Sequence, residues 1–351
     1  MLVFNGILFG TETHLVKDEN GFRWIEEVPE EAFVYGGRHR YSVDEWLSIV
    51  DDPLPSLIDK KYKRMAQELG LENPKWQKIL GPSFNKALKL ANEEVAKKLK
   101  DVKYLEYEST WRECQDFIWS MKPTKINRVR YASLKAMKVN LPGFNPVTGS
   151  LDPVRYDRKT KTGRLRVVSG PSVLTIRAEH RNLVSGCRQI DFKNMEPRLL
   201  LAFLGKEVDG DLYENIQKEL NIKGDRSYVK VSIISSLYGS RVVPEISRFF
   251  AMDEWIKQLE ASKEKHILKN YFGRPINVKD VHGHHLLSLW LQSSAADAAL
   301  LGFSRFFKEN PTLVPHWIIH DACIFSGEGT VPEYLYINDS IKLPIECTEI
   351  K

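Results

Sequence analysis

A chain of 351 residues with 42% hydrophobic and 28% charged residues has the make-up of a globular protein large enough for two or three domains. No apolar run approaches the ~20 residues needed to cross a bilayer, and the start, Met-Leu-Val-Phe-Asn-Gly, lacks the basic-then-apolar pattern of a secretory signal, so a cytoplasmic location without a membrane partner is expected. The net charge of +5 is too mild to name a partner, and Cys114, Cys187, Cys323 and Cys347 lie too far apart for a zinc motif, which suits reduced thiols.

Residues 1–70 are the hardest to read. Alternating stretches at Leu2 to Phe9, Phe22 to Ile25 and Ala32 to Tyr35 predict strands, and Tyr41 to Val50 predicts a short helix. Glu12, Asp18 and Glu19 do not form the Asp-x-Glu at the end of an apolar strand that a proofreading exonuclease needs, so no second catalytic site is expected there. From Pro82 the pattern turns helical. Leu88, Ala91, Val95, Leu99 and Val102 recur every three or four residues, with Lys86, Lys89, Lys97 and Lys100 on other faces. A second helix is predicted from Tyr107 to Met121, carrying Trp111, Phe117, Ile118 and Trp119. These two helices suit either a hairpin packed on itself or a pair gripping a nucleic-acid duplex.

Residues 139–175, with Gly143, Gly149, Pro153, Gly163, Gly170 and Pro171, predict loop and ribbon. Between 151 and 188 stand nine Arg or Lys against three Asp or Glu, a bias that suits a ribbon lying along a phosphate backbone. Gln189 and Ile190 then read as the end of a buried strand delivering Asp191, and Leu199, Leu200, Phe203 and Leu204 take helical spacing. On local grounds Asp191 is either a helix N-cap or a metal ligand held at a strand end. A helical region at 211–269, broken near Gly224, Gly239 and Pro244, ends before Phe272-Gly273-Arg274-Pro275. A strong helix follows at 284–308 with small residues in its middle, and then two apolar strands, His316 to Ile319 and Cys323 to Phe325, about His320-Asp321-Ala322. His282, His284 and His285 lack the flanking ligands of a metal site and read as a loop entering that helix, while Trp290 and Leu291 read as core.

The chemistry lies in a constellation. Positions four apart on a helix drift by only about 40°, so Arg226, Lys230, Ile234 and Tyr238 form one stripe next to Gly239. Two cations suit phosphates, and the apolar and aromatic residues beyond them suit a sugar and base. Two carboxylates from separate strands, Asp191 and Asp321, facing such a stripe suit phosphoryl transfer with hard divalent cations.

With these residues in place, the chain resembles the family A (Pol I-like) DNA polymerases. Asp191-Phe-Lys-Asn-Met-Glu-Pro-Arg198 is similar to that family's motif A, Arg226-x3-Lys230-x7-Tyr238-Gly239 to motif B, and His320-Asp321 to motif C. Thr162-Gly-Arg-Leu165 and Gln292-Ser-Ser-Ala-Ala-Asp297 match further family segments in the same order. The resemblance covers the last 190 or so residues well, the helices at 82–150 as a reduced thumb, and residues 1–70 not at all.

The resemblance implies an α+β right-hand fold: a palm with an antiparallel sheet, helical fingers and a reduced helical thumb, beside a small N-terminal region. The expected division is 1–70 accessory, 71–150 thumb, 151–205 and 283–351 palm, and 206–282 fingers. It implies a compact, phage-type enzyme lacking proofreading that extends a primer on a DNA template with dNTPs and releases pyrophosphate. Asp191, Asp321 and the backbone at Phe192 would bind two Mg²⁺ ions, for which Mn²⁺ could substitute. Arg226 and Lys230 would hold the triphosphate, with Lys230 also donating a proton to the leaving pyrophosphate. Ile234 and Tyr238 would line the nucleotide site, Tyr238 closing over the new base pair. Glu196 would pair with Tyr238 and exclude a 2′-hydroxyl. Arg164, Arg274 and Gln292 would read the duplex minor groove, and His320 would touch the primer end. Asp297 reads as structural. So small a thumb leaves room for a processivity or replisome partner.

Two departures stand out: Ile234 replaces the family's usual aromatic residue, and Ala322 stands where a Glu commonly follows the motif C Asp. The related single-subunit RNA polymerases share much of this set, though Glu196 argues against one. A polymerase-like nucleic-acid-binding factor without synthesis is opposed by the retained Asp191, Asp321, Arg226 and Lys230.

Overall fold

The computed structural model describes residues 1–9, 12–49, 60–71, 74, 76–100, 105–139, 141, 143, 145 and 147–350. Val50 and Val102, counted above in two predicted helices, lie outside the described residues. The chain forms two compact units, Met1–Glu106 and Tyr107–Lys351.

The first unit carries strands β1 (Leu2–Phe4), β2 (His14–Asp18), β3 (Gly21–Ile25) and β4 (Phe33–Tyr35) in the order β3-β2-β1-β4, with β1 and β4 parallel and the other pairs antiparallel. Val3, Val16, Ala32 and Val34 form its core. Strand β2 was not anticipated, although Asn20-Gly21 after it is a strong hairpin signal. Helix α1 (Val43–Ser48) starts at Ser42, whose hydroxyl accepts from the Glu45 amide. Helices α2 (Lys60–Glu68), α3 (Trp76–Leu80) and α4 (Pro82–Lys100) follow. α4 begins at the proline that favours a first turn and buries Ala91 and Val95 of the expected apolar stripe.

The second unit opens with α5 (Glu108–Trp119), β5 (Thr124–Lys125), α6 (Arg128–Ala136), β6 (Ser150–Leu151) and the ribbon β7 (Arg155–Asp157) and β8 (Arg166–Ser169). Strand β9 (Arg188–Phe192) leads to α7 (Met195–Phe203), α8 (Leu212–Glu219), α9 (Arg226–Leu237), α10 (Pro244–Phe249) and α11 (Met252–Ala261). The hairpin β10 (Ile267–Lys269) and β11 (Pro275–Asn277) precedes α12 (Gly283–Glu309). Strands β12 (Val314–Ile319), β13 (Ala322–Ser326), β14 (Tyr334–Tyr336) and β15 (Lys342–Glu349) complete the unit. Five strands form one antiparallel sheet in the order β12-β13-β9-β15-β14.

Helix α12 joins two cores. Its C-terminal half, with Phe303, Phe306 and Phe307, packs beneath the sheet against Phe192 and Phe325. Its N-terminal half, with Leu286, Leu287, Trp290 and Leu291, joins Val229, Ile233 and Leu237 of α9, Ile246 of α10 and Leu259 of α11. Residues 206–282 thus gather in the helical core, while segments 151–205 and 283–351 share the sheet. α12 is long and apolar enough for a bilayer span by length and composition, contrary to the expectation above. It is nonetheless a core helix, because 83% of that apolar window is buried within the protein.

The second of the two predicted helices, α5, packs against α12. Trp111, Cys114, Phe117 and Ile118 of α5 are buried, and Phe117 stacks on Phe307 of α12 at 5.6 Å between ring centroids. Glu113 of α5 accepts from Ser304 and Lys308 of α12 as well. The apolar face of α5 is therefore consumed in supporting α12, and the expected thumb segment 71–150 is divided between the two units.

Candidate active site

The β12–β13 connection is the two-residue turn His320-Asp321, with His320 in the left-handed region at φ 57°. β13 pairs with β9 so that Ala322 lies opposite Asp191, which brings Asp321 and Asp191 to the same sheet edge. The backbone there is tightly held: the Phe192 amide donates to the Asp321 carbonyl at 3.2 Å, and the Lys193 amide to the Pro344 carbonyl at 2.9 Å. Asn194 then takes a left-handed φ of 54°, turning the chain from β9 into α7.

Burial and the neighbouring Asp321 charge push the Asp191 carboxyl up to about 6, with Glu346 adding to the rise; Arg181 and the Gln189 amide oppose it. The Arg181 Nη1 donates to Gln189 Oε1 at 2.7 Å, and the Gln189 Nε2 donates to Asp191 Oδ2 at 3.3 Å. Sequence reading missed this relay. Arg181 was visible only as one cation of a basic run. Glu346 was missed too, because only the register of β15, which sets it opposite Asp191, brings it near. Among the described residues no group of three or more His, Cys, Asp or Glu could hold a metal ion.

Asp191, Asp321, Glu196, Arg226, Lys230, Ile234, Gln292, His320, Phe192 and Arg164 line one cleft of about 1220 Å³. Glu196, in the first turn of α7, accepts twice: from the Tyr238 hydroxyl at 2.6 Å on one carboxylate oxygen and from Arg164 Nη2 at 2.7 Å on the other. Its side chain is 15% exposed, so both bonds operate in a partly desolvated setting. Burial, followed by the Glu196 charge, pushes the Tyr238 phenol up to about 12. Tyr238 caps α9, and the chain continues through Gly239 at φ 71°, where a Cβ would come within 2.5 Å of the His284 Cβ. Gly239 is thus needed for the end of α9 to sit on the start of α12.

The α9 stripe has the expected order. Asp225 caps the helix by accepting from the Tyr228 amide, and Lys230 is exposed to the cleft with half-buried Ile234 beyond it. Arg226 donates through Nε and Nη2 to Asp211 Oδ2 at 2.9 and 2.7 Å, and its guanidinium lies 5.3 Å from the Tyr213 ring centre. Gln292 donates to Ser288 Oγ at 2.9 Å within α12.

Arg274 is a correction. It is 1% exposed, donating to the Tyr107 hydroxyl and to the Arg158 carbonyl at 3.0 Å, so it cannot read a groove. A Cβ at Gly163, which has φ 76°, would lie 2.7 Å from its guanidinium carbon, and Arg274 therefore supports the ribbon from beneath. The same network centres on Asp297, fully buried and bonded to Arg158, to the Tyr107 hydroxyl at 2.9 Å and to Asn270 at 2.7 Å. Asp297 is structural, as expected. Much of the basic ribbon is also tied down internally: Arg158 to Asp297, Arg166 to Asp157 and Arg155 to the Trp119 carbonyl. Lys159 and Lys161 are exposed, and Arg164, also exposed, is bonded to Glu196.

No protein-family model matches this chain, and no curated protein matches it. Among solved structures it is similar to the POL domain of Pol1 from M. smegmatis in complex with DNA primer-template and dNTP, at 12% identity and a TM-score of 0.44, over 78% of this chain and 53% of that one. The chain thus spans about half the length of that neighbour. At so distant a likeness the cleft residues have to carry the assignment themselves.

Proposed function

We propose that the chain is a template-directed DNA polymerase that extends a primer 3′-hydroxyl with dNTPs. The observation that carries this reading is the Glu196 clamp on Tyr238 at 2.6 Å, within a cleft that also holds Asp191, Asp321 and Lys230. A carboxylate locked against the aromatic residue that ends the cationic stripe forms a wall where a ribose 2′-hydroxyl would sit, which favours dNTP over rNTP.

Asp191 and Asp321 fit Mg²⁺, which takes oxygen ligands and draws the rest of its octahedron from water and substrate phosphates. The mutual repulsion of the two carboxylates, relieved by a divalent cation, supports that fit. Two bound ions, with Mn²⁺ able to substitute, would neutralise charge developing on the attacking and leaving oxygens. The chain's own residues do the rest. Arg226 and Lys230 bind the triphosphate, and Lys230 is placed to give a proton to the departing pyrophosphate. Ile234 supports the sugar by contact rather than ring stacking. Arg164, Gln292 and His320, which line the cleft, would contact primer–template DNA, the two former through minor-groove acceptors shared by correct pairs. Movement of α9 toward the sheet would select the matched nucleotide before chemistry.

Primer extension with Mg²⁺, comparing dNTP with rNTP and wild type with Asp321→Asn, tests the reading. Template-dependent dNTP incorporation that the variant loses is expected. Absence of extension by the wild type would sink the enzyme reading in favour of a silent nucleic-acid-binding factor, and preference for rNTP would make the protein a single-subunit RNA polymerase-like enzyme.

A further inference from the structure

We infer that Asp211 is a positioning residue that presents Arg226 to the nucleotide triphosphate, an inference that rests on the function proposed above. Asp211 divides its two oxygens between two tasks. Oδ1 accepts from the Tyr213 and Glu214 amides, both at 3.0 Å, and so caps α8. Oδ2 takes both the Nε and the Nη2 of Arg226.

A guanidinium carries five N–H donors in a rigid fork. With one N–H at Nε and one at Nη2 committed to Asp211, the Nη1 pair and the second Nη2 proton stay available to phosphate oxygens. Holding a free Arg still costs roughly 2 kcal/mol of rotamer freedom. Asp211 and the Tyr213 ring meet that cost before the nucleotide arrives. The two helices that bear the bond pack together, sharing one core through Leu212, Ile216, Val229 and Ile233.

The loop before Asp211 is in turn tied to α7. Arg198, on the helix that follows Asp191, donates to the carbonyls of Val208 and Gly210, immediately before Asp211. Arg198 of α7 thus anchors the loop that leads into Asp211, whose carboxylate holds the first cation of the stripe.

The charge of Asp211 could instead compete with the triphosphate for Arg226. The two roles predict opposite signs, so one variant separates them. Asp211→Asn keeps an oxygen to cap α8, since Asn is as good an N-cap as Asp, but gives up the charged bond to Arg226. dATP binding in the presence of primed template and primer-extension rates should be measured in parallel for wild type, Asp211→Asn, Asp211→Glu and Arg226→Ala. Asp211→Asn is expected to weaken dATP binding and raise KM by roughly three- to tenfold, with kcat and the thermal midpoint little changed and Asp211→Glu recovering part of the loss. Binding as tight as wild type, or tighter, overturns the inference. Arg226→Ala binding dATP normally would overturn it as well, by removing Arg226 from the triphosphate site. Failure of the function itself shows separately, as wild-type protein that does not extend a primer.

Discussion

The two walls of the cleft are built on opposite principles. The sheet wall sets Asp191 on a strand paired on both sides and Asp321 on the adjoining turn, both half-buried, and burial together with the Asp321 charge raises the Asp191 carboxyl to about 6. The helical wall sets Arg226 and Lys230 on the exposed face of α9, where the nearest carboxylate, Asp211, is offset from the sheet by a loop. On the proposed function, the groups that would meet the reacting atoms are held at a cost in desolvation and like-charge repulsion. On the same reading, the groups that would bind the triphosphate are left on an exposed face, Arg226 steadied there by Asp211.

The largest effect should come from the sheet wall. Asp321→Asn should lower primer extension by about a hundredfold or more, because it removes a charge-bearing oxygen where charge develops. A loss under tenfold in single-turnover extension would break the contrast between the two walls. Below it in size comes the support under the cleft. Asp297→Ala strands the buried Arg158 cation and should destabilise the protein by about 3–5 kcal/mol, read in urea unfolding; a change under about 1 kcal/mol would show that the network relaxes around the loss.

Glu196→Ala should relax sugar selection by roughly tenfold to a hundredfold, since a pocket wall rather than a bond is being removed. Competition between dATP and ATP on one template checks it, and unchanged preference would assign exclusion of the 2′-hydroxyl to another group. Two smaller effects sharpen the comparison through stability. Asp191→Asn removes a carboxylate whose folded pKa, about 6, lies above its usual value of 3.8. Both states are ionised well above pH 6, so there the folded protein carries the full cost. Both are neutral well below 3.8, and the cost vanishes. With chelator present, the variant should therefore be more stable than wild type at pH 7, on the order of 1–2 kcal/mol, and the advantage should fade as pH drops through 6 toward 4. Arg226→Ala, on the exposed wall, should shift stability by no more than about 0.5 kcal/mol.

The local pattern carried much of this. Helical spacing located α4, α5, α9 and α12, and Gly224, Gly239 and Pro244 marked real breaks, because backbone preferences act within a few residues. Asp191, Asp321 and the α9 stripe were legible as well, since each lies at the junction of a clear apolar run with a polar residue. The Asn20-Gly21 hairpin signal was present and went unread. Arg274 misled because its Gly-Arg-Pro context carries no sign of burial; only the docking of Tyr107 and Gly163 on it shows a support rather than a reader.

What the amino-acid sequence determined by itself was which residues could do chemistry and which local elements bear them. What only the tertiary structure decided was their company. Glu346 faces Asp191 through the register of strands separated by more than a hundred residues of chain. Glu196 meets Tyr238 and Arg164 through the packing of α7 against α9 and the ribbon. Asp211 meets Arg226 because α8 and α9 share a core. Such pairings depend on burial summed over whole faces, and no short stretch of sequence contains that sum.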